Sequence, residues 1–213
     1  MHPIQKKSVS STREYNLKNL KDLSARLTDV EYFVFFGTLL GYCREGNIIK
    51  GDDDIDFYVN IREKKKIFNI LEELGFFINI DNTYFAQSSR VFESVTSFAD
   101  FYFYEDVPGK NYLLERWNFL AQPKNVSAHI HVPKKIVFPV KLGAIENIKF
   151  NIPHDIDACC RYLYGANYKT PLTKNAQYFI NIVDNKPAIM IAPTTPIFII
   201  VKDQMESLKE SIK

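Results

Sequence analysis

One stretch constrains the fold of this chain more than any other: four aspartates fall within residues 52–56, soon after a glycine-rich turn. The residues that follow them are typical of a buried strand. Because strand side chains alternate between the faces of a sheet, Asp54 and Asp56 point the same way, while Ile55 and Phe57 point into the core. Carboxylates held side by side repel each other, and a fold tolerates them most readily around a cation. The stretch therefore predicts a divalent-metal site.

Composition places the chain among folded globular proteins. It has 213 residues, of which 46% are hydrophobic and 24% charged, and this balance excludes a disordered or collagenous class. The length suits one domain, and no repeat or low-complexity linker divides it, so we expect a single domain over residues 1–213. The net charge of +2 is too small to predict a nucleic-acid partner.

The sequence predicts a protein of the cytoplasm. Residues 1–15 contain no apolar run able to serve as the core of a signal peptide. The most apolar segment, 188–201, is short for a membrane span and is interrupted by Pro193 and Pro196. The three cysteines lack the paired spacing of a metal finger and are expected to be reduced. Peripheral contact with the inner face of a membrane stays open as an alternative.

Hydrophobic spacing predicts the elements around the acidic stretch. Leucines at helical spacing predict a first helix over 16–29, interpreted as a packing helix and not part of a site. A short strand over 31–36 is expected to end at Gly37, with Thr38 capping a short helix over 39–44. The start of that helix would put free backbone N–H groups beside the acidic strand, where they could hold a phosphate.

The same kinds of pattern predict the rest of the chain. A helix is expected over 62–74 with Gly75 at its C-terminal end, and another over 153–164, beginning at its proline and closed by Gly165. Residues 110–120 are expected to be helical or irregular. Short strands are predicted at 76–80, 84–88, 90–95, 97–105, 127–132 and within 138–152.

A third acid completes the predicted site. Asp100 interrupts an aromatic strand, and three carboxylates on two neighbouring strands can hold one or two Mg²⁺ (or Mn²⁺) ions of the kind used in phosphoryl transfer. Asp54, Asp56 and Asp100 are therefore the predicted catalytic and metal-binding residues. Asp52 and Asp53 are interpreted as the solvated start of the strand. For Asp100, a position facing water on an edge strand is the alternative.

These acids belong to a pattern that resembles the LicD/fukutin family, a branch of the nucleotidyltransferase superfamily. The pattern is GTLLG at 37–41, then Arg44, then DDDID at 52–56. Later segments resemble the family in the same order, namely DFYFYE at 100–105, FP at 138–139 and YG at 164–165. The resemblance covers roughly residues 15–171. It departs from the family at 50–51, where Lys-Gly stands in place of the usual proline and tryptophan.

The resemblance implies a fold and an activity. The fold is α/β (α+β), a nucleotidyltransferase-like mixed sheet with flanking helices and a C-terminal extension over the acceptor cleft. The catalytic core then covers about 15–105 and a distal portion about 106–213. The implied activity is metal-dependent transfer of a phosphorylated alcohol, such as phosphocholine or a polyol phosphate, from a CDP-activated donor to a glycan or lipid-linked saccharide. CMP is released, and the product is a modified cell-surface polysaccharide.

The resemblance also implies roles for individual residues. Gly37 and Thr38 contact phosphate, Asp54 and Asp56 ligate the metal, and Asp100 completes the acidic site as a ligand or a general base. The implied cofactor is Mg²⁺ or Mn²⁺.

Other polar and aromatic residues are weaker candidates. Arg44 would bind a phosphate with its planar guanidinium, with an ion pair to Glu45 as the alternative. Lys141 is a further candidate for phosphate contact, with an ordinary exposed lysine as the alternative. His129 and His131 lack a third ligand at a telling distance and are not predicted to bind metal. Three aromatic residues could stack on a cytosine or simply pack: Tyr84, Trp117 and Tyr168.

Two other functional classes stay open. A nucleotidyltransferase that moves NMP from an NTP to a small molecule or protein would use the same acids, but it would release pyrophosphate instead of CMP. A non-catalytic protein that binds a nucleotide or scaffolds a synthesis complex would need no metal at all.

Overall fold

The computed structural model describes residues 9–121, 127–171, 179–182 and 186–190, with side chains described over 12–117 and 131–171. Its largest element is a seven-stranded mixed sheet flanked by helices. The helices are α1 (Val9–Arg26), α2 (Phe36–Glu45), α3 (Lys64–Glu73), α4 (Lys134–Val137) and α5 (Ile156–Tyr164). The strands are β1 (Tyr32–Val34), β2 (Asp56–Asn60), β3 (Phe77–Asn82), β4 (Phe85–Phe92), β5 (Val95–Asp106), β6 (Tyr112–Ala121), β7 (Ser127–Pro133), β8 (Lys141–Ile145), β9 (Ile148–Ile152), β10 (Phe179–Ile182) and β11 (Lys186–Met190).

The strand order places β2 and β5 in the interior of the sheet. The order is β1-β2-β5-β4-β3, and β6 and β7 continue from the far end of β5. β2 and β5 run parallel, and Asp56 is the register partner of Asp100. A parallel pair needs a long connection, which α3 and the β3–β4 hairpin supply here. Asp100 is thus not on an edge strand, and the alternative of a water-facing position for it is wrong.

Aromatic packing fixes the two interior strands. Every residue of β2 is buried. Phe57 stacks on Phe101 of the parallel neighbour with ring centroids 5.1 Å apart, and on the other face Tyr58 stacks on Phe35 at 4.7 Å. Burying a large apolar side chain stabilises a fold by about 1.5–3 kcal/mol. The acids on these strands are therefore attached to a well-packed part of the molecule.

Helix ends follow some of the predicted signals and not others. Gly75 after α3 has φ 72° and Gly165 after α5 has φ 81°, in the left-handed region that glycine enters at little steric cost. α5 begins after Asp155, whose side chain accepts a 2.9 Å hydrogen bond from the Ala158 N–H. The prediction that Pro153 is the first residue of this helix is therefore wrong. α1 begins at residue 9, earlier than the leucine spacing predicted.

Two predictions for the strands were also wrong. The segments predicted separately at 84–88 and 90–95 form the single strand β4. The chain turns only after this strand, at Glu93 and Ser94, both at positive φ. Residues 110–120, expected to be helical or irregular, form β6. Pairing of β6 with β5 and β7 across the sheet outweighs its weak local pattern.

The chain beyond residue 171 is described only in part. β10 and β11 form an antiparallel pair, and the rest of the expected C-terminal extension lies outside the described residues. None of the helices in the described ranges combines the length and the apolar character that crossing a bilayer requires.

α2 packs tightly on the loop that follows it. A Cβ added at Gly41 would lie 2.7 Å from Asn47 O and 2.8 Å from Ile49 N, and both of these are backbone atoms that cannot rotate away. A Cβ added at Gly37 of the same helix would instead meet only carboxylate oxygens, at 3.0 and 3.1 Å.

We expect Gly41→Ala to lower the free energy of unfolding by about 1–3 kcal/mol, because the added methyl group forces the backbone of α2 and its loop apart. Urea denaturation followed by circular dichroism measures this change. Gly37→Ala is the matched control on the same helix, with a smaller loss of stability. A Gly41→Ala protein as stable as the wild type would contradict the close packing of α2 on the loop that follows it.

Candidate active site

Three carboxylates meet where β2 and β5 come together. Oxygen atoms of Asp54, Asp56 and Asp100 all lie within 4.8 Å of one another. Asp56 and Asp100 are paired across the parallel strands, so their side chains share one face of the sheet. Asp54 lies two residues earlier, in the loop that leads into β2. The structure thus brings together the three acids that the sequence singled out.

Two of these acids are almost removed from water. Asp56 is 5% exposed and Asp100 is 6% exposed. Burial raises the pKa of Asp56 well above its usual value, and the neighbouring aspartates raise it further. Burial also raises the pKa of Asp100 to about 7, against a hydrogen bond from Gln87 that lowers it. The site therefore resists carrying its full negative charge unless a cation is present.

A divalent cation fits this group of side chains. The Oδ1 atom of Asp100 is buried and accepts no hydrogen bond from any residue that the structure describes. A buried carboxylate oxygen without a donor is costly. Mg²⁺ and Mn²⁺ prefer carboxylate oxygens as ligands, and three such groups are within reach of one ion here. Asp54, Asp56 and Asp100 are the residues that could hold it.

The N-terminus of α2 is joined to the same strand. The Thr38 N–H donates to Asp56 Oδ2 at 3.2 Å, and the Asp56 N–H donates to Thr38 Oγ1 at 2.8 Å. Thr38 is the third residue of α2, so the prediction that it caps the helix is wrong. It fastens the helix to the acidic strand instead. Gly37 leaves a side-chain-free surface against Asp56 and Asp52. Phosphate contact by Gly37 and Thr38 stays a prediction.

Phe36, the first residue of α2, holds an unusual conformation beside the site. Its φ of 40° lies in the left-handed region, which residues other than glycine seldom adopt. Its ring lies 4.5 Å from that of Tyr102 and 6.1 Å from that of Tyr58. Such conformations cost free energy and persist where the surrounding packing determines them, often at functional sites.

Arg44 and Lys141 have less direct positions. Arg44 Nη2 lies 4.0 Å from Glu45 Oε1, the alternative partner that the sequence offered, and its side chain is 10% exposed. It follows Gly37 by two helical turns, on the same side of α2 but about 10 Å along the axis. Lys141 is exposed at the start of β8, in a separate two-stranded sheet. Phosphate binding by either residue stays a prediction.

The interpretation of α1 as a packing helix is incomplete. Its Asn16 is fully buried, and the side-chain amide donates 3.0 Å hydrogen bonds to the carbonyl oxygens of Asp52 and Asp54. The available signal was a pair of asparagines, Asn16 and Asn19, one turn apart among the leucines of the buried face. Gln87, the register partner of Asp100 on β4, was also missed.

Two aspartates and two histidines remain among the candidates. Asp53 is exposed and Asp52 half-buried, and their carboxylates lie within 4.8 Å of that of Asp54, so direct ligation by either stays untested. The ring of His131 stacks on Tyr112, with centroids 4.3 Å apart. The side chain of His129 lies outside the described residues.

A mixed sheet with acids on a parallel strand pair, and a helix start bonded to one of them, defines a nucleotidyltransferase-like fold. The chain belongs to the LicD/FKTN/FKRP family, because the model of that family's nucleotidyltransferase domain matches residues 29–155. The resemblance carried by GTLLG and DDDID is thereby confirmed, and the class of the protein is a transferase.

Two solved structures are similar to this chain. The lincosamide antibiotic adenylyltransferase LnuA, bound to lincomycin, has a TM-score of 0.44 and 15% identity, with 66% of this chain and 79% of that chain covered. The antibiotic-resistance factor ANT(2'')-Ia has a TM-score of 0.41 and 12% identity, with 65% and 66% covered. A comparison with curated protein sequences gave no match.

The raised pKa of Asp100 predicts how the metal-free protein responds to pH. The folded-state pKa of about 7 lies above the unfolded value near 3.8, so the folded protein holds the extra proton between these limits. The stabilising contribution is complete below pH 4 and is lost as the pH rises through 7. The loss amounts to about 4 kcal/mol.

We therefore expect Asp100→Asn to stabilise the metal-free protein at pH 7.5 and to have little effect at pH 4. Urea denaturation of both proteins in the presence of a chelator, between pH 4 and 8, measures the difference. Asp81→Asn, which removes an exposed carboxylate paired with Lys64, is the control and should leave the pH dependence unchanged. A wild type whose stability relative to Asp100→Asn does not fall with pH would contradict the electrostatics of the site.

Proposed function

We propose that this protein transfers a phosphorylated alcohol from a CDP-activated donor to a hydroxyl group of a saccharide, in a metal-dependent reaction. The observation that supports the proposal best is the meeting of Asp54, Asp56 and Asp100 beside the start of α2, where a buried oxygen of Asp100 has no hydrogen-bond donor among the described residues. Family membership narrows the chemistry from phosphate transfer in general to the modification of glycans. We propose Mg²⁺ or Mn²⁺ as the cofactor.

In the proposed reaction, the chain's own residues orient the reactants and hold the acids in place. Asp54, Asp56 and Asp100 would hold a divalent cation, which would supply positive charge to the diphosphate and to the negative charge that develops in the transition state. Gly37 carries no side chain, so the carboxylates of Asp52 and Asp56 lie close to the first turn of α2, whose backbone is the proposed contact for a phosphate. Thr38 keeps Asp56 at a fixed distance from that turn. Arg44, further along the same side of α2, is the proposed contact for the outer phosphate oxygens.

The acceptor hydroxyl oxygen forms a bond to the donor's β-phosphorus, and the bond from that phosphorus to the bridging oxygen breaks, so CMP leaves with the bridging oxygen. The hydroxyl proton goes to solvent or to Asp100, which serves either as a ligand or as the general base. A glycan or lipid-linked saccharide is the proposed acceptor. We place the reaction in the cytoplasm, with a lipid-linked acceptor reached at the inner face of the membrane.

Product analysis tests this function. With Mn²⁺ present, the protein is incubated with saccharide acceptors and either CDP-choline, CDP-ribitol or an NTP. We expect release of CMP and no pyrophosphate, and a decrease of at least about 100-fold in Asp56→Asn, which retains the shape of the side chain but removes its charge. Pyrophosphate release with a nucleotide adduct would establish the NMP-transfer alternative in its place.

We propose that the cytosine of the CDP-activated donor lies beside Trp117. This ring stacks on Phe85 with centroids 4.5 Å apart, and Phe85 lies 5.0 Å from Tyr102, two residues after Asp100. Of the other aromatic candidates, Tyr84 lies under the Arg116 guanidinium, and the Tyr168 hydroxyl is hydrogen-bonded to Asp157. Trp117 is thus the candidate connected by ring contacts to the acidic strands.

Because Trp117 is the single tryptophan of the chain, its fluorescence reports on this surface directly. We expect CMP with Mn²⁺ to quench the emission, since a stacked base changes the surroundings of the indole ring. Ribose 5-phosphate with Mn²⁺ is the control, because it carries the phosphate and sugar but no base, and it should leave the emission unchanged. Binding of CMP by calorimetry without quenching would place the base elsewhere.

A further inference from the structure

We infer that Asn16 is a positioning residue of the metal site, whose side-chain amide holds the acidic loop in the conformation that brings Asp54 to Asp56 and Asp100. The inference rests on the proposed function, since it assigns a partner to the metal ligands of that site. Asn16 lies on α1, outside the residues 29–155 that match the family model.

The hydrogen bonds of Asn16 fix the orientation of its side-chain amide. Both N–H bonds of Nδ2 are used on the loop, one to Asp52 O and one to Asp54 O, each at 3.0 Å. Its Oδ1 accepts a 2.6 Å hydrogen bond from the Ser97 hydroxyl. Asn16 is 0% exposed and Ser97 is 1% exposed, so water cannot replace these partners easily. Two hydrogen bonds to carbonyls on either side of Asp53 fix the backbone between them.

A buried polar network holds Asn16 itself in place. The Ser97 hydroxyl accepts a 2.7 Å hydrogen bond from Asn19 Nδ2, and Asn19 Oδ1 accepts one of 2.8 Å from Arg90 Nε. Arg90 in turn pairs with Asp22 at 2.7 Å. In this network every amide nitrogen donates and every amide oxygen accepts, so the orientation of Asn16 is determined.

The loop needs such support because its side chains repel each other. Asp56 and Asp100 lie on strands fixed by ladder hydrogen bonds and by aromatic packing. The loop with Asp54 is bonded to β5 at Phe98, which donates to Asp53 O at 2.9 Å and accepts from the Ile55 N–H at 3.1 Å, and Asn16 holds its other side. Asp52, Asp53 and Asp54 hold carboxylate oxygens within 4.8 Å of one another, and without restraint the backbone would relax to separate them. Asn16 restrains the loop as a neutral donor to carbonyls, so it leaves the negative charge available for a cation.

Removing a group that orients metal ligands lowers metal affinity without removing a ligand. In proteins such partners change affinity by about 10–100-fold. The predicted effect of Asn16 therefore differs from that of a merely structural buried asparagine, which changes stability alone. Asn19 provides the comparison, because it is equally buried on the same helix and in the same network but makes no hydrogen bond to the acidic loop.

Binding of Mn²⁺ alone, without substrate, tests the inference. The wild type, Asn16→Ala and Asn19→Ala are titrated with Mn²⁺ by electron paramagnetic resonance well below their melting temperatures, which are measured separately. We expect both variants to melt at lower temperatures. The Kd for Mn²⁺ should rise by about 10–100-fold in Asn16→Ala and by much less in Asn19→Ala, which keeps both hydrogen bonds from Asn16 to the loop. Asn16→Ser, which creates a smaller cavity, replaces Asn16→Ala if the latter does not fold.

The possible outcomes separate the inference from the function on which it rests. A wild type that binds Mn²⁺ and an Asn16 variant with the same Kd, or equal losses of affinity in both variants, would overturn the positioning role alone. A wild type that binds no Mn²⁺ would overturn the metal dependence of the proposed function, and the positioning role with it.

Discussion

The rest of the structure depends on one pairing: two aspartates held opposite each other on adjacent parallel strands and shielded from water. Asp56 and Asp100 would each gain from moving apart or from taking up a proton. The packed aromatic rings that follow them in β2 and β5 prevent the two aspartates from moving apart. These carboxylates accept hydrogen bonds from neutral donors, the Thr38 N–H and Gln87. The fold therefore holds the two carboxylates in place more than it neutralises their charge.

The three acids are supported in two different ways. Asp56 and Asp100 belong to strands, whose backbone is fixed by the ladder and whose positions follow from packing. Asp54 belongs to a loop that is bonded to Phe98 of β5 on one side and, on the other, to a side chain from a helix more than thirty residues earlier in the chain. The position of Asp54 can therefore change while β2 and β5 stay folded and paired. Substitution of Asn16 should therefore move Asp54 in addition to lowering stability, whereas substitutions in the aromatic core should lower stability without acting on Asp54 directly.

Much of the site was accessible from the sequence because its signals are local. Period-two alternation predicted that Asp54 and Asp56 lie together, as they do although β2 begins only at Asp56, and a lone acid in an aromatic strand pointed to Asp100. The partners that hold them were not accessible, because Asn16 and Gln87 reach the acids only through tertiary contacts. The same limit explains β6, whose sequence pattern is weak and whose conformation follows from pairing with distant strands. Thr38 was predicted to cap α2, a role that its position as the third residue of the helix excludes, and its hydrogen bonds to Asp56 were not predicted.

The parallel register of β2 and β5 also has a consequence for the order of events during synthesis. Asp54 and Asp56 leave the ribosome more than forty residues before Asp100, and the hairpin that contains β4 and β5 can form by local pairing before β5 docks on β2. The nascent chain thus carries its acidic loop without a complete cation site. A shift of one residue in the final docking would turn Asp100 to the opposite face. The proposed cation would therefore bind only after β5 has docked on β2 in the correct register.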